Sequence, residues 1–261
     1  MSRSLIGGLI ANNVKTKNLT ATDPDEGQRQ NMAEQFGITT LEDNNAAIAD
    51  ADVIVLAVKP QVMHQVVSGL AEAVKGSTKL LVSIAAGIKL DSLSEWLGEP
   101  SAIIRVMPNT PALIQAGAAA LFANKHVTVS QKNTAESMMR SVGTAIWLES
   151  EDLMDTVTAL SGSGPAYFFY FMEAMEKAAI DMGLNNEQAR LLTIETALGA
   201  AKMALLSASD LAELRTQVTS PGGTTEQALN TFKQGKLEEL VQAAMNAAKQ
   251  RSIELSKSFG K

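Results

Sequence analysis

The stretch VIVLAVKP, Val53 to Pro60, opens with six apolar residues, mostly β-branched, with no polar alternation. Such a run is a strand buried on both faces, the kind parallel sheets use. Lys59 and Pro60 end it, and proline is tolerated in the first turn of a helix. The pattern predicts a helix over 61–74 and, with the strand, half of a βαβ unit.

The same alternation extends in both directions. Upstream, 19–23 (LTATD) reads as a short strand followed by a polar helical stretch, 25–36. Downstream come a buried strand at 80–85 (LLVSIA), a helix over 91–97 and a strand at 103–107 (IIRVM). An apolar run at 117–123, a helix over 131–141 and a strand at 145–149 follow. Strands alternating with helices imply an α/β fold with a doubly wound parallel sheet.

From about residue 151 the β-branched runs stop. Stretches rich in Ala, Leu and Met at 165–182, 187–206, 210–217, 225–233 and 236–257 read as helices. The expected organisation is an α/β domain over 1–150 and an all-helical domain over 151–261. Helix 165–182 carries Tyr167, Phe168, Phe169, Phe171, Met172 and Met175 around its circumference. It is expected to be buried on most sides. A helical domain of this size can hardly enclose it alone, which points to a subunit interface.

Composition narrows the class. Net charge is 22 − 28 = −6, and no basic run is interleaved with aromatics, so no nucleic-acid surface is expected. There is no cysteine, hence no disulfide framework, thiol nucleophile or thiolate metal site, which suits a reducing cytoplasm. His64 and His126 are the only imidazoles, so no metal site is expected. No apolar run reaches the roughly 18 residues of a membrane span.

Five stretches can carry chemistry. LAVKPQ (Leu56–Gln61) ends a buried strand, where open α/β sheets bind ligands, and Lys59 beside a helix start suits a phosphate. A solvated lysine would read the same way. SIAAGI (Ser83–Ile88) places small residues at a strand end, for a flat ring or for tight packing. RVMPNTPA (Arg105–Ala112) is a stiff turn held by two prolines. LSGSGPAYFF (Leu160–Phe169) brings Pro165 to a helix start whose N–H groups suit an anion. VTSPGGTTEQAL (Val218–Leu229) repeats that arrangement, with Thr224 and Gln227 spaced as a capping box.

Taken in this order and spacing, RVMPNTPA, LSGSGPAY and VTSPGGTT, with LAVKPQ and SIAAGI before them, resemble the pyrroline-5-carboxylate reductases over essentially the whole chain. The resemblance implies reduction of a cyclic imino acid to L-proline by hydride from NADPH or NADH. It implies a Rossmann-like dinucleotide-binding domain and a helical domain that binds substrate and pairs two subunits, with rings of dimers common. It places the substrate carboxylate on Ser220, Gly222, Gly223, Thr224 and Thr225. Thr225 is then the candidate for proton delivery, and Glu151 the carboxylate beside the substrate amine. No strong general acid is needed for an already protonated imine, so catalysis would be mostly orientation. On the cofactor side the resemblance implies Met1, Asp23, Asn44, Ala57, Val58, Lys59, Pro60, Ala85, Ala86 and Asn109. An acid such as Asp23 at the end of the 19–23 strand favours NADH, whereas Lys17 and Arg29 nearby leave NADPH open, the form the family points to.

The opening SRSLIGGLI is a helix stripe with Gly7 and Gly8 inside it. Glycine costs about 1 kcal/mol in a helix, so the pair marks close approach of another backbone. Family members place a strand and a glycine-rich turn before this helix. The expectation is that such a segment precedes Met1 and that Gly7 and Gly8 lie against it. Without that segment, a non-catalytic dinucleotide-binding protein is the alternative. A β-hydroxyacid dehydrogenase is a further one, disfavoured because Phe168 and Phe171 stand where that family has its Lys and Asn.

Overall fold

The structure is a computed structural model and describes residues Met1–Gly260. The chain forms two compact units. The first comprises Met1–Ser163 with the residues from Ala248 onward, and the second is Gly164–Ala247.

The first unit runs α1 (Ser2–Ala11), β1 (Thr20–Thr22), α2 (Glu26–Phe36), β2 (Thr39–Leu41), α3 (Asn44–Ile48), β3 (Val53–Leu56), α4 (Pro60–Val74), β4 (Leu80–Ser83), α5 (Leu90–Leu97), β5 (Ala102–Met107), β6 (Gly117–Ala123), α6 (Val129–Arg140), β7 (Gly143–Trp147) and α7 (Leu153–Val157). β1 and β2 form a parallel pair, and β3 to β7 form a five-stranded sheet in sequence order. β3, β4 and β5 are parallel, β6 is antiparallel to β5, and β7 is parallel to β6. The reversal at β6 departs from an all-parallel expectation. Residues 108–116 between β5 and β6 carry only a 3₁₀ turn (Thr110–Ile114), and a parallel crossover needs a dozen or more residues.

Helices cover both faces of the sheet. Ile54, Leu56, Leu81 and Ile103 meet Met63, Val67 and Leu70 of α4 and Leu93 and Leu97 of α5. On the other face Leu80, Val82, Ile104 and Val106 join one apolar cluster with Leu5 of α1 and Ala135 and Met139 of α6. The continuous apolar runs follow from this, because every second residue serves the opposite layer.

α1 answers the question its glycines raise. A Cβ on Gly8 would collide with Val142 Cγ1 and lie 2.7 Å from the Ser141 carbonyl oxygen. Gly7 faces the Phe36 ring at ordinary contact distance. Among the described residues, Gly8 therefore serves close packing against the end of α6.

The second unit holds α8 (Gly164–Asp181), α9 (Asn186–Leu206), α10 (Leu211–Gln217) and α11 (Thr224–Gln234), followed by α12 (Leu237–Phe259), which continues into the first unit. Within Gly164–Ala247 only Gly164, Ala189 and Thr193 are buried. Phe168, Phe169 and Tyr170 are exposed, as are Leu191 and Leu192. Helix α8 is therefore not a core helix within one chain. No helix among the described residues is long and apolar enough to cross a membrane, and no cluster of side chains there could hold a metal ion.

Candidate functional site

Because β3, β4 and β5 are parallel, their carboxyl ends share one sheet edge, the edge where open α/β sheets bind ligands. Ala57, Val58 and Lys59 leave β3 there, Ala85 and Ala86 follow β4, and Asn109 follows β5. Lys59 is the N-cap of α4, with Pro60 as its first residue. Lys59 is exposed, and among the described residues no hydrogen bond or ion pair engages its amine. The amine is thus available to a phosphate beside a helix start. Ala57 and Ala86 present no side chain beyond a methyl, which leaves the edge open to a flat group.

A cavity of about 250 Å³ opens beside β1, lined by Met1, Ser2 and Arg3 of the α1 start, by Thr22 and Asp23, and by Arg29 among others. Thr22 Oγ1 donates to Asn44 Oδ1 at 2.6 Å, which ties the expected cofactor residue Asn44 to a residue of the lining. Asp23 Oδ1 accepts from Asp25 N–H at 2.9 Å. Arg29 Nη1 donates to the Asp23 and Pro24 carbonyls at 2.8 and 2.9 Å, and Arg3 Nη2 donates to Gln28 Oε1 at 2.8 Å. The cavity thus carries one carboxylate and two guanidinium groups. In the first turn of α1, Ser4 Oγ is buried and has no partner among the described residues. The unpaired N–H groups of the helix start, with Met1, Arg3 and Asp23 lining the cavity, fit the phosphate and ribose of a dinucleotide. No motif singles out Arg3 and Ser4; their place in the first turn of a helix is the one signal the sequence carries for them.

Two motifs separated in sequence are stitched together. Asn109 Nδ2 donates to the Ser161 carbonyl at 3.0 Å, and Asn109 Oδ1 accepts Ala118 N–H at 2.9 Å. A Cβ on Gly162 would collide with Met107 Cε. RVMPNTPA and LSGSGP therefore brace one another. Both ends of the Asn109 amide are engaged inside the protein, which fixes the side chain's orientation.

The segment leading to Pro165 is not an open loop. α7 passes straight into a π-helical turn, Thr158–Gly162, and Ser163 N–H bonds to the Thr158 carbonyl at 2.8 Å. Glu151 has partners within the chain. Its Oε1 accepts from Arg105 Nη1 at 2.5 Å and from Leu90 N–H at 2.8 Å. Its other carboxylate oxygen has no partner among the described residues. Arg105, a charge inside an apolar strand, is the residue whose significance the motif does not disclose.

In the second unit the turn before α11 has its own arrangement. Gly222 adopts φ +73°, a conformation that glycine takes without strain. Its N–H donates to Glu226 Oε2 at 2.8 Å, and Gly223 N–H donates to the Ser220 carbonyl at 3.0 Å. Gly223 is the N-cap and Thr224 the first helical residue, so the expected Thr224–Gln227 capping box does not form. Gln227 N–H returns to the Gly223 carbonyl. The N–H groups left unpaired are those of Thr224, Thr225 and Glu226, and neither threonine hydroxyl has a partner among the described residues. Gly223, whose N–H the resemblance assigns to the substrate with that of Thr224, uses it to shape the turn, as does Gly222.

Comparison with known proteins gives this arrangement its context. Residues 151–255 match the family model for pyrroline-5-carboxylate reductase dimerisation, and residues 1–87 match that for coenzyme F420-dependent NADP oxidoreductase. The chain is 51% identical to pyrroline-5-carboxylate reductase of Pseudomonas aeruginosa over 260 residues, covering 100% of this chain and 95% of that one. It is 45% identical to that of Vibrio alginolyticus, covering 99% and 95%. The solved structure of a pyrroline-5-carboxylate reductase from Coxiella burnetii superimposes with TM-score 0.94 at 45% identity, covering 97% of this chain and 94% of that one. The Plasmodium falciparum pyrroline carboxylate reductase, solved with NADP bound, gives 0.86 at 29%, again over 97% and 94%. With identity this high spread over the whole length, the chain belongs to the pyrroline-5-carboxylate reductase family.

Proposed function

We propose that the chain reduces L-1-pyrroline-5-carboxylate to L-proline, with the substrate carboxylate held at the Pro221–Thr225 turn. The observation that carries this is the division of donors in that turn. Two N–H groups fix its shape, and three at the start of α11 stay open. Open donors at a helix N-terminus favour an anion. Thr224 and Thr225 N–H take the carboxylate, and the Thr225 hydroxyl holds the ring nitrogen and its proton. When bound, NADPH, or NADH in its place, supplies the hydride that the imine carbon accepts. Lys59 and the first turn of α1 would hold its phosphates, and Asp23 and Asn44 would hold its ribose. Catalysis rests mainly on orientation, since the imine nitrogen is already basic enough to carry its proton.

The working molecule is a homodimer built on the helical unit, and rings of such dimers are its larger assembly. Support comes from the second unit itself, which has almost no interior of its own and exposes Phe168, Phe169, Leu191 and Leu192. A unit that small needs a partner to bury enough apolar surface. The enzyme acts in the cytoplasm, in keeping with a chain free of cysteine.

The test is a nicotinamide absorbance assay with the cyclic imine on the wild type and Thr225→Ala. The variant is expected to lose turnover and proline affinity together. Wild-type kinetics in Thr225→Ala would remove the turn from the mechanism.

A further inference from the structure

We propose that the Arg105–Glu151 pair is a positioning device that fixes the nucleotide side of the site, an inference that rests on the reductase reading above. Arg105 sits in β5 among Ile103, Ile104 and Val106, all buried, and its own side chain is only 8% exposed. Its one hydrogen-bonded partner among the described residues is Glu151. A buried ion pair is a poor source of stability, since an apolar pair of similar volume is often as stable or more so. What the pair offers instead is a defined geometry. One oxygen of Glu151 receives both the Arg105 guanidinium and the first N–H of α5, Leu90. It therefore ties β5, the start of α5 and the turn before α7 to a single point.

That point lies between the loops expected to carry the cofactor. Ser83 and Arg105 are register partners in adjacent parallel strands. Ala85 and Ala86 lie between Ser83 and the held Leu90, and Asn109 lies just past Arg105. The segments 105–109 and 151–162 are then joined three times: Arg105 to Glu151, Met107 against Gly162, and Asn109 to Ser161. Glu151 is the one group in this set that also holds the loop after β4. Removing it deletes the one side-chain tie between the end of this loop and β5, while the packing of Ala85 and Ile88 in the core and the other joints stay in place. Glu151 acts through these loops, so it is a positioning residue. A misplaced loop on this edge would slow hydride transfer without weakening the grip on the imino acid, which is held elsewhere.

The experiment uses the full chain with Glu151→Ala, Glu151→Asp and Glu151→Gln. Four quantities are measured: kcat and KM for the cyclic imine, the isotope effect with 4-deuterated NADPH, the Kd of NADPH by fluorescence titration, and amide hydrogen exchange over residues 85–90. Glu151→Ala is expected to lower kcat about tenfold with KM within twofold, to enlarge the isotope effect, to raise the NADPH Kd and to speed exchange at 85–90. Glu151→Gln keeps an oxygen for both donors and should recover most of the kcat. Should Glu151→Ala fail to fold, Glu151→Asp keeps the counter-charge and withdraws it by one methylene, so the same shifts are expected at smaller size. An isotope effect and exchange pattern unchanged in variants whose activity merely tracks the folded fraction would overturn the proposal. So would a rise in KM for the imine at constant kcat, which would mark Glu151 as a substrate contact. Absence of imine turnover in the wild type would instead sink the reductase reading, while the exchange result would still report on the tie.

Discussion

Gly8 and Gly7 are adjacent in the same helix, and substituting each by alanine should move stability in opposite directions. At either site alanine gains about 1 kcal/mol of helix propensity. At Gly7 the new methyl would meet the Phe36 ring at 3.4 Å, an ordinary contact, so the gain stands. At Gly8 it would collide with Val142 Cγ1 and fall 2.7 Å from the Ser141 carbonyl oxygen. Non-bonded carbon atoms prefer about 3.5–4.0 Å, so the overlap is on the order of 1 Å. A rotamer change at Val142 relieves the first clash, but the second is with backbone and requires α1 to move away from α6. Overpacking of this kind costs about 1–3 kcal/mol, and a clash with backbone lies toward the upper end, above the propensity gain. We expect Gly8→Ala to be destabilised by up to about 2 kcal/mol net, a fall of up to about 8 °C in the thermal midpoint at about 2–4 °C per kcal/mol. Gly7→Ala should rise by a few degrees. Thermal unfolding followed by circular dichroism, with urea titration as a second measure, decides the matter. If both variants shift the same way, or if Gly8→Ala is the more stable, close packing of α1 against Ser141–Val142 is not what requires the glycine.

Other outcomes follow from the same geometry. Lys59→Ala should weaken NADPH binding about tenfold, as expected for one charge-assisted phosphate contact, and leave the KM for the imine unchanged; equal nucleotide affinity in the variant would refute a phosphate role. The Trp147 indole N–H and the Arg140 guanidinium hold the Glu136 carboxyl below its ordinary range. A depressed carboxylate contributes stability that is present above its unfolded pKa and lost as pH falls through the folded one. Acid titration of Trp147 fluorescence in a Trp96→Phe background should therefore show its step below the usual carboxylate range, and a step within that range would argue against the contact. Phe168→Glu with Leu191→Glu should convert the proposed dimer to a monomer in sedimentation velocity, because both side chains are exposed in the single chain. An unchanged sedimentation coefficient would move the interface elsewhere.

Part of this architecture is legible in the sequence alone. Val53–Leu56, Leu80–Ser83 and Ala102–Met107 are strands because their apolar runs serve two layers, and hydrophobicity records that directly. The long helices of the second unit show in composition and length. β2 and α3 leave no such trace, because segments of three and five residues hold too few positions for a period to emerge. The cap of α11 falls on Gly223 rather than Thr224 because the threonine hydroxyl competes with a turn whose own hydrogen bonds fix the backbone first.

Local chemistry in the sequence determined where strands, helix starts and rigid turns lie, and with them which loops could carry a ligand. It could not determine what each polar group would meet. Glu151 lies 46 residues from Arg105 and 61 from Leu90, and Gly8 reaches Ser141 and Val142 only once α1 is laid against α6. The direction of β6 depended on a connection too short to cross the sheet. Partners of that kind are chosen by packing across the whole fold, and no local pattern encodes them.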